Sequence, residues 1–275
     1  MAIKRKIYPT DEAKHDYIFK SETMYSQFNL YEDDETFKIN PNWNTCAQVE
    51  YLGKRKTPVV IIDDFLPNID RVRELALSAH YSNDEQKMTS SPGMRCIFRL
   101  CWDIREVVRP FYQAWYDAEL DFDYKFPLSN QNNAFTIIDT QEPMGNIQCW
   151  PHIDVAWENG QRIGTETAQH VAGLLYLNTP DECKGGTGLY KNKLLDTHLC
   201  KDYDDYKKCT EAFKKVSHRD TNINYEKNDY YELVKEVKMK YNRFVMYPTC
   251  MYHHPIYHTD DFTGDTCRMV LGTFA

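Results

Sequence analysis

Apolar residues along this chain follow two rhythms, and the change from one to the other divides it. Residues 58–67, PVVIIDDFLP, form a β-branched run stopped by Asp63, Asp64 and Pro67, which predicts a buried strand entering a turn. Ile69, Val72, Leu75, Ala76 and Ala79 then recur at helical spacing, which predicts an amphipathic helix lying on a sheet with Asn68 as its N-cap. Ser90, Ser91, Pro92 and Gly93 read as a turn. A second helical stripe follows at Val108, Phe111, Trp115 and Leu120, with Pro110 either in its first turn or kinking it.

From residue 133 onward the rhythm shortens. NAFTIID, NIQCWPHID, HVAGLLYLN, GTGLY, YELVKEVKM, NRFVMYP and CRMVLGTF are short β-rich runs separated by turn residues. Such a succession predicts a mainly β protein with flanking helices, an antiparallel sandwich or barrel of jelly-roll type. Residues 1–56 are polar and irregular, with an acidic patch from Glu32 to Glu35, and are expected to form an arm packed on the domain. The domain itself is expected over residues 57–275, interrupted at 191–231 by a charged insertion in which Tyr203, Tyr206, Phe213 and Val216 have near-helical spacing. That helix reads equally as a lid, a partner-binding element or a solvated helix packed on the sheet.

Composition narrows the function classes. A formal charge of −8 and the lack of a basic stripe argue against a nucleic-acid partner, because such binding rests on Lys and Arg displacing counterions. The nine cysteines show neither a CxxC nor a paired zinc-ligand spacing, so reduced thiols in a cytoplasmic protein are expected. The N-terminal stretch MAIKRKIYPTDEAKHDY lacks the apolar core of an export signal, and no apolar run reaches the ~18 residues of a membrane span. No feature of the sequence sets the oligomeric state.

The candidate chemistry starts at Pro151-His152-Ile153-Asp154, where an imidazole and a carboxylate stand two residues apart and, in a strand, face the same way. Two such ligands begin a divalent-metal site, and a third is expected from a remote strand. The stretch YPTCMYHHPIYHTDD offers His253, His254 and His258. Downstream, Arg268 opens the last β-rich run, where alternation places it on the face of Val270 and Gly272.

From Pro58 to the C-terminus these pieces together (VVIIDDFLPN with its helix, PHID, HVAGLLYLN, CKGGTGLY, RFVMYPTCMYH and the terminal strand with Arg268) resemble the iron(II)- and 2-oxoglutarate-dependent oxygenases of the prolyl-hydroxylase-like branch. The resemblance implies a double-stranded β-helix, a cupin-like barrel. It also implies a reaction in which O2 decarboxylates 2-oxoglutarate and a substrate C–H bond is hydroxylated, with ascorbate as a supporting reductant. The substrate is then a small molecule, an amino acid or a peptide side chain. By the same resemblance His152, Asp154 and His253 are the Fe(2+) ligands and catalytic centre, with His258 the alternative third ligand. Arg268 would hold the distal carboxylate of 2-oxoglutarate. Many relatives carry Ser or Thr two residues after this arginine; Val270 stands there, and Tyr176 is the expected substitute contact.

Gly185-Gly186-Thr187-Gly188 lacks the Lys-Ser/Thr of a phosphate loop and reads as a tight turn into a strand. Trp150, Trp157, Tyr190 and Arg95 are candidate substrate-side residues, with ordinary packing the competing role. Two other functions fit parts of the pattern. A cupin-like metal-dependent isomerase or dioxygenase would not need Arg268, and a non-catalytic interaction barrel would not need the metal.

Overall fold

Layering follows from where the apolar runs find partners. The computed structural model describes residues 35–79, 81, 93–99, 104–119, 132–138, 150–155, 157–158, 161–162, 170–214, 229–258, 260–262 and 266–274. In chain order the elements are α1 (Trp43–Cys46), β1 (Ala47–Leu52), β2 (Thr57–Ile62), α2 (Ile69–Ser78), β3 (Met94–Arg99), α3 (Arg105–Glu119), β4 (Asn132–Ile138), β5 (Trp157–Glu158) and β6 (Gln161–Arg162). They continue with β7 (Val171–Tyr176), β8 (Gly186–Asn192), α4 (Tyr203–Lys214), β9 (Tyr231–Lys238), β10 (Phe244–Pro248), β11 (His253–Ile256) and β12 (Arg268–Phe274). The chain is mainly β with few helices, and the strand pairs are antiparallel.

Seven strands form one sheet in the order β1-β2-β10-β7-β12-β4-β3, and three form a second in the order β11-β8-β9. Alternation sorts the large sheet's side chains. Val60, Ile62, Leu175, Phe244, Met246, Met269 and Leu271 pack with Val72, Leu75 and Ala76 of α2 and Val107, Val108, Tyr112 and Tyr116 of α3. The alternate positions Val59, Ile61, Tyr176, Val245, Tyr247 and Val270 pack with Leu189 and Val237 of the small sheet. The large sheet is therefore the middle layer, covered on both faces. This is why β2 is buried along its whole length and reads as a continuous apolar run. Each fully buried Val, Ile or Phe there is worth about 1.5–3 kcal/mol.

The sequence predicts an antiparallel sandwich or barrel; the described strands form antiparallel sheets packed face to face and not a closed barrel. Both outer edges carry charge, which discourages further strand pairing. Lys235 of β9 reaches Glu50 of β1 at 2.7 Å, so these edges meet through an ion pair. Ala47–Leu52, assigned to the arm by sequence, is the edge strand beside β2. Its weakly alternating, half-buried residues leave little signal.

Asn68 stands at the N-cap position of α2, but its side chain does not cap. Its amide donates instead to Glu35 O at 2.7 Å, tying the preceding segment to the helix. Pro110 lies inside α3 beyond its first turn, with its ring exposed. The expected turn at Ser90 to Pro92, residues 1–34 of the arm, and residues 215–228 of the insertion lie outside the described residues. Within the insertion α4 forms as expected, and its Cys209 packs with Tyr190, Tyr231 and Tyr252 on the small sheet.

Candidate metal centre

The segment from Trp150 to Val155 runs beside β11, and one bridge fixes the register. His152 and His253 each donate a backbone N–H to the other's carbonyl at 2.9 Å. Directly opposed residues of an antiparallel pair point to the same face. The two imidazoles therefore emerge together, with ring centroids 4.4 Å apart. Asp154, two residues on, keeps that face, and its backbone N–H is held by Thr249 O at 2.8 Å. Its carboxylate lies 3.8 Å from His152 Nε2 and 3.3 Å from His253 Nε2. One donor atom from each of the three residues falls within 4.8 Å of the others, close enough to hold a metal ion.

Protonation agrees with that role. Met251 O lies 2.9 Å from His253 Nδ1, and a carbonyl can only accept, so Nδ1 carries the proton and Nε2 presents its lone pair. Nε2 faces a carboxylate oxygen at 3.3 Å, a pair of donor atoms that a bound metal cation would satisfy. Burial pushes the His152 pKa well below the ordinary value, reinforced by His253 and His254, so this ring is neutral, the form that binds metals.

The neighbouring histidines are placed differently. His254 is fully buried with its ring 6.4 Å from that of His152, outside the cluster of donor atoms. His258 lies past the end of β11, exposed, with its backbone N–H bonded to Asp261 at 2.6 Å.

Arg268 opens β12 on the face that looks toward the small sheet, as alternation predicts. It is 3 % exposed, Nη2 contacts Gly186 O at a long 3.4 Å, and Nε finds no hydrogen-bond acceptor among the described residues. Its guanidinium lies 5.7 Å from the centre of the Tyr176 ring. Tyr176 OH in turn meets Thr187 Oγ1 at 2.6 Å. Burial lowers the Arg268 pKa, offset by Tyr176, Tyr257 and Tyr247. Tyr247 links the two halves, since its ring lies 4.7 Å from that of His253 while its hydroxyl feels both the Asp154 and the Arg268 charge. A buried cation with only neutral contacts among the described residues is costly unless an anion joins it. The arrangement offers a metal site and, beside it, an acceptor for a carboxylate.

Thr187 escaped sequence reasoning because it sits inside a glycine run that reads as a turn. The glycines explain the packing: a Cβ on Gly185, whose φ is +61°, would overlap Ile256 O of β11. Trp150 packs on Tyr230 and Tyr231 at 5.6 and 6.2 Å, and Tyr190 lies buried among the same aromatics. Arg95 is half-buried on β3, and its charge acts on His152. The side chain of Trp157 lies outside the described residues.

Fold and site define an antiparallel, mainly β protein with a candidate His-Asp-His metal centre. The sequence profile of a family of unknown function (DUF6445) matches residues 43–269, and the chain belongs to that family. None of the curated proteins matches the sequence significantly. Among solved structures, a prolyl-4-hydroxylase of Pseudomonas putida is 12 % identical, with 79 % of this chain and 91 % of that one covered at a TM-score of 0.35. IDO from Bacillus thuringiensis is 12 % identical over 93 % of this chain and 82 % of that one, TM-score 0.26. AviO1 from Streptomyces viridochromogenes Tue57 is 12 % identical over 94 % and 84 %, TM-score 0.25. Likenesses this distant leave function to the chain's own residues.

Proposed function

We propose that this chain is an iron(II)- and 2-oxoglutarate-dependent oxygenase, built as a double-stranded β-helix, that hydroxylates a C–H bond of a small molecule, amino acid or peptide side chain. The observation that carries the reading is the buried, weakly contacted Arg268 on the face that packs toward the small sheet, coupled to the His-Asp-His cluster through Tyr247. A metal site alone fits a cupin-like isomerase as well; a buried guanidinium beside it does not follow from that chemistry.

His152, Asp154 and His253 would hold the iron, since two imidazoles and one carboxylate are the donor set that suits Fe(II) and leaves coordination positions for other ligands. Iron with 2-oxoglutarate and O2 supplies the oxidising power for hydroxylation, with succinate and CO2 as coproducts. Arg268 pairs its planar fork with the distal carboxylate, which its fixed geometry favours. Tyr176, oriented by Thr187, gives the hydroxyl that Val270 cannot. Tyr247 and Tyr176, both buried, keep water from the space between the metal ligands and the arginine. Met251 O and the His152 bridge hold His253 in its ligating tautomer and orientation.

The cytoplasmic setting expected from the cysteine spacing is part of this proposal. No helix among the described residues is long and apolar enough to cross a membrane. The test is O2-dependent succinate formation from 2-oxoglutarate with iron(II) and ascorbate, in the parent and in His152→Ala. Absence of turnover together with absence of bound metal in the parent overturns the reading.

A further inference from the structure

Arg95 is a candidate substrate-side residue by sequence, and the strand register gives it a definite place. Met94 and Cys96, on either side of it, pack into the helix-side core, so Arg95 points to the opposite face, the one that looks toward the small sheet. Across the sheet Arg95 stands opposite Thr136, Thr136 opposite Val270, and Val270 opposite Tyr176. These four residues form one row on one face. Tyr176 is the residue packed against Arg268, and β3 lies two strands from β12, about 10 Å at the usual strand spacing. Arg95 is half-buried.

We propose that Arg95 is the substrate-recognition cation of this site, and that the molecule oxidised carries a free carboxylate which Arg95 pairs while Arg268 serves the co-substrate. Its lateral offset from β12 suits it to a second anion at the same centre. A single guanidinium presents two parallel N–H donors that match one carboxylate, which selects an organic acid or amino acid over a neutral compound. Its row across the sheet ends at Tyr176, which packs against Arg268, so the two cations share one face of the sheet.

The inference rests on the oxygenase reading, and its test separates the two. The probes are common L-amino acids and mono- and dicarboxylic acids, each compared with its primary amide, titrated into the manganese-loaded protein with saturating N-oxalylglycine and followed by water-proton relaxation. Acids bind and their amides do not, and Arg95→Gln weakens the acids by roughly 30-fold or more, the size of loss when one partner of a partly buried charge pair is removed. Arg95→Lys keeps part of the affinity, and manganese and N-oxalylglycine bind both variants as they bind the parent, which shows that the variants fold. Equal binding of amides, unchanged acid binding in Arg95→Gln, or no acid bound at all overturns the proposal. Failure of the parent to bind N-oxalylglycine counts against the oxygenase reading instead; acid binding to the manganese-only protein then still tests Arg95.

Discussion

His152 and His253, a hundred residues apart in sequence, exchange both backbone hydrogen bonds at 2.9 Å and place their rings 4.4 Å apart. The candidate metal centre is thus written into a strand register. A slip of one residue would turn every side chain to the other face and present His254 in place of His253.

That register predicts which histidines bind metal. His152→Ala, Asp154→Ala and His253→Ala should each weaken binding of Fe(II) or Mn(II) by at least about 100-fold, above the cost of losing an outer-shell partner. His258→Ala should leave it unchanged, because that side chain lies exposed beyond β11. Equilibrium dialysis with metal analysis checks both; retained binding in His253→Ala with loss in His258→Ala would reverse the assignment.

Much of this was visible in sequence, for reasons tied to burial. β2, β7, β10 and β12 are covered on both faces, so their composition announces them. The HxD spacing needs only local strand geometry to converge. β1 and β3 lie at the two edges of the large sheet, where half-buried and charged positions dilute the pattern. β11, HHPI, carries no strand pattern of its own because its identity as a strand comes from pairing with β8. The role of Thr187 depends on contacts between sequence-remote strands, which no local pattern encodes, and His253 is singled out from its neighbours in sequence only by the family resemblance.

Gly185 tests how tightly β11 is held. Its φ is +61°, and a Cβ there would overlap Ile256 O, backbone that cannot move without shifting the strand that carries His253. Gly185→Ala should cost about 1–3 kcal/mol of stability from the left-handed backbone alone. It should also weaken metal binding, unlike an equally destabilising change on the helix side such as Val108→Ala. Denaturant unfolding paired with metal titration separates these outcomes.

Acid sensitivity should trace to His198. Its Nε2 lies 2.7 Å from Thr57 Oγ1, and burial, reinforced by the Arg55 charge, pushes its pKa from 6.5 to about 4. Between these values the unfolded chain holds the proton and the folded one does not, so stability rises with pH there. The contribution is complete above about 6.5 and is lost as pH falls toward about 4. In the metal-free protein the depressed pKa of His152 acts in the same direction. Thermal unfolding across this interval should show a falling Tm that flattens in His198→Gln; an unchanged slope in the variant would place the acid sensitivity elsewhere.

The last prediction separates the co-substrate contacts from the metal. Arg268 is buried, and its contacts among the described residues, Gly186 O and the Tyr176 ring, are not anionic, so a bound carboxylate gains the value of a desolvated, bidentate pair. Truncating one partner of such a pair costs about 2–5 kcal/mol, which is roughly 30-fold to several-thousand-fold in Kd. Arg268→Gln should raise the Kd for 2-oxoglutarate by that amount while Mn(II) binding stays as in the parent. Arg268→Lys keeps the charge but loses the planar fork and should fall between. Tyr176→Phe removes one hydroxyl and should cost about 0.5–1.5 kcal/mol, up to roughly tenfold. Thr187→Val should reproduce part of that loss, because Thr187 Oγ1 orients the same hydroxyl at 2.6 Å. Isothermal titration of 2-oxoglutarate into the Mn(II)-loaded variants reads all four. If Arg268→Gln binds 2-oxoglutarate as the parent does, the guanidinium is structural and the co-substrate assignment falls.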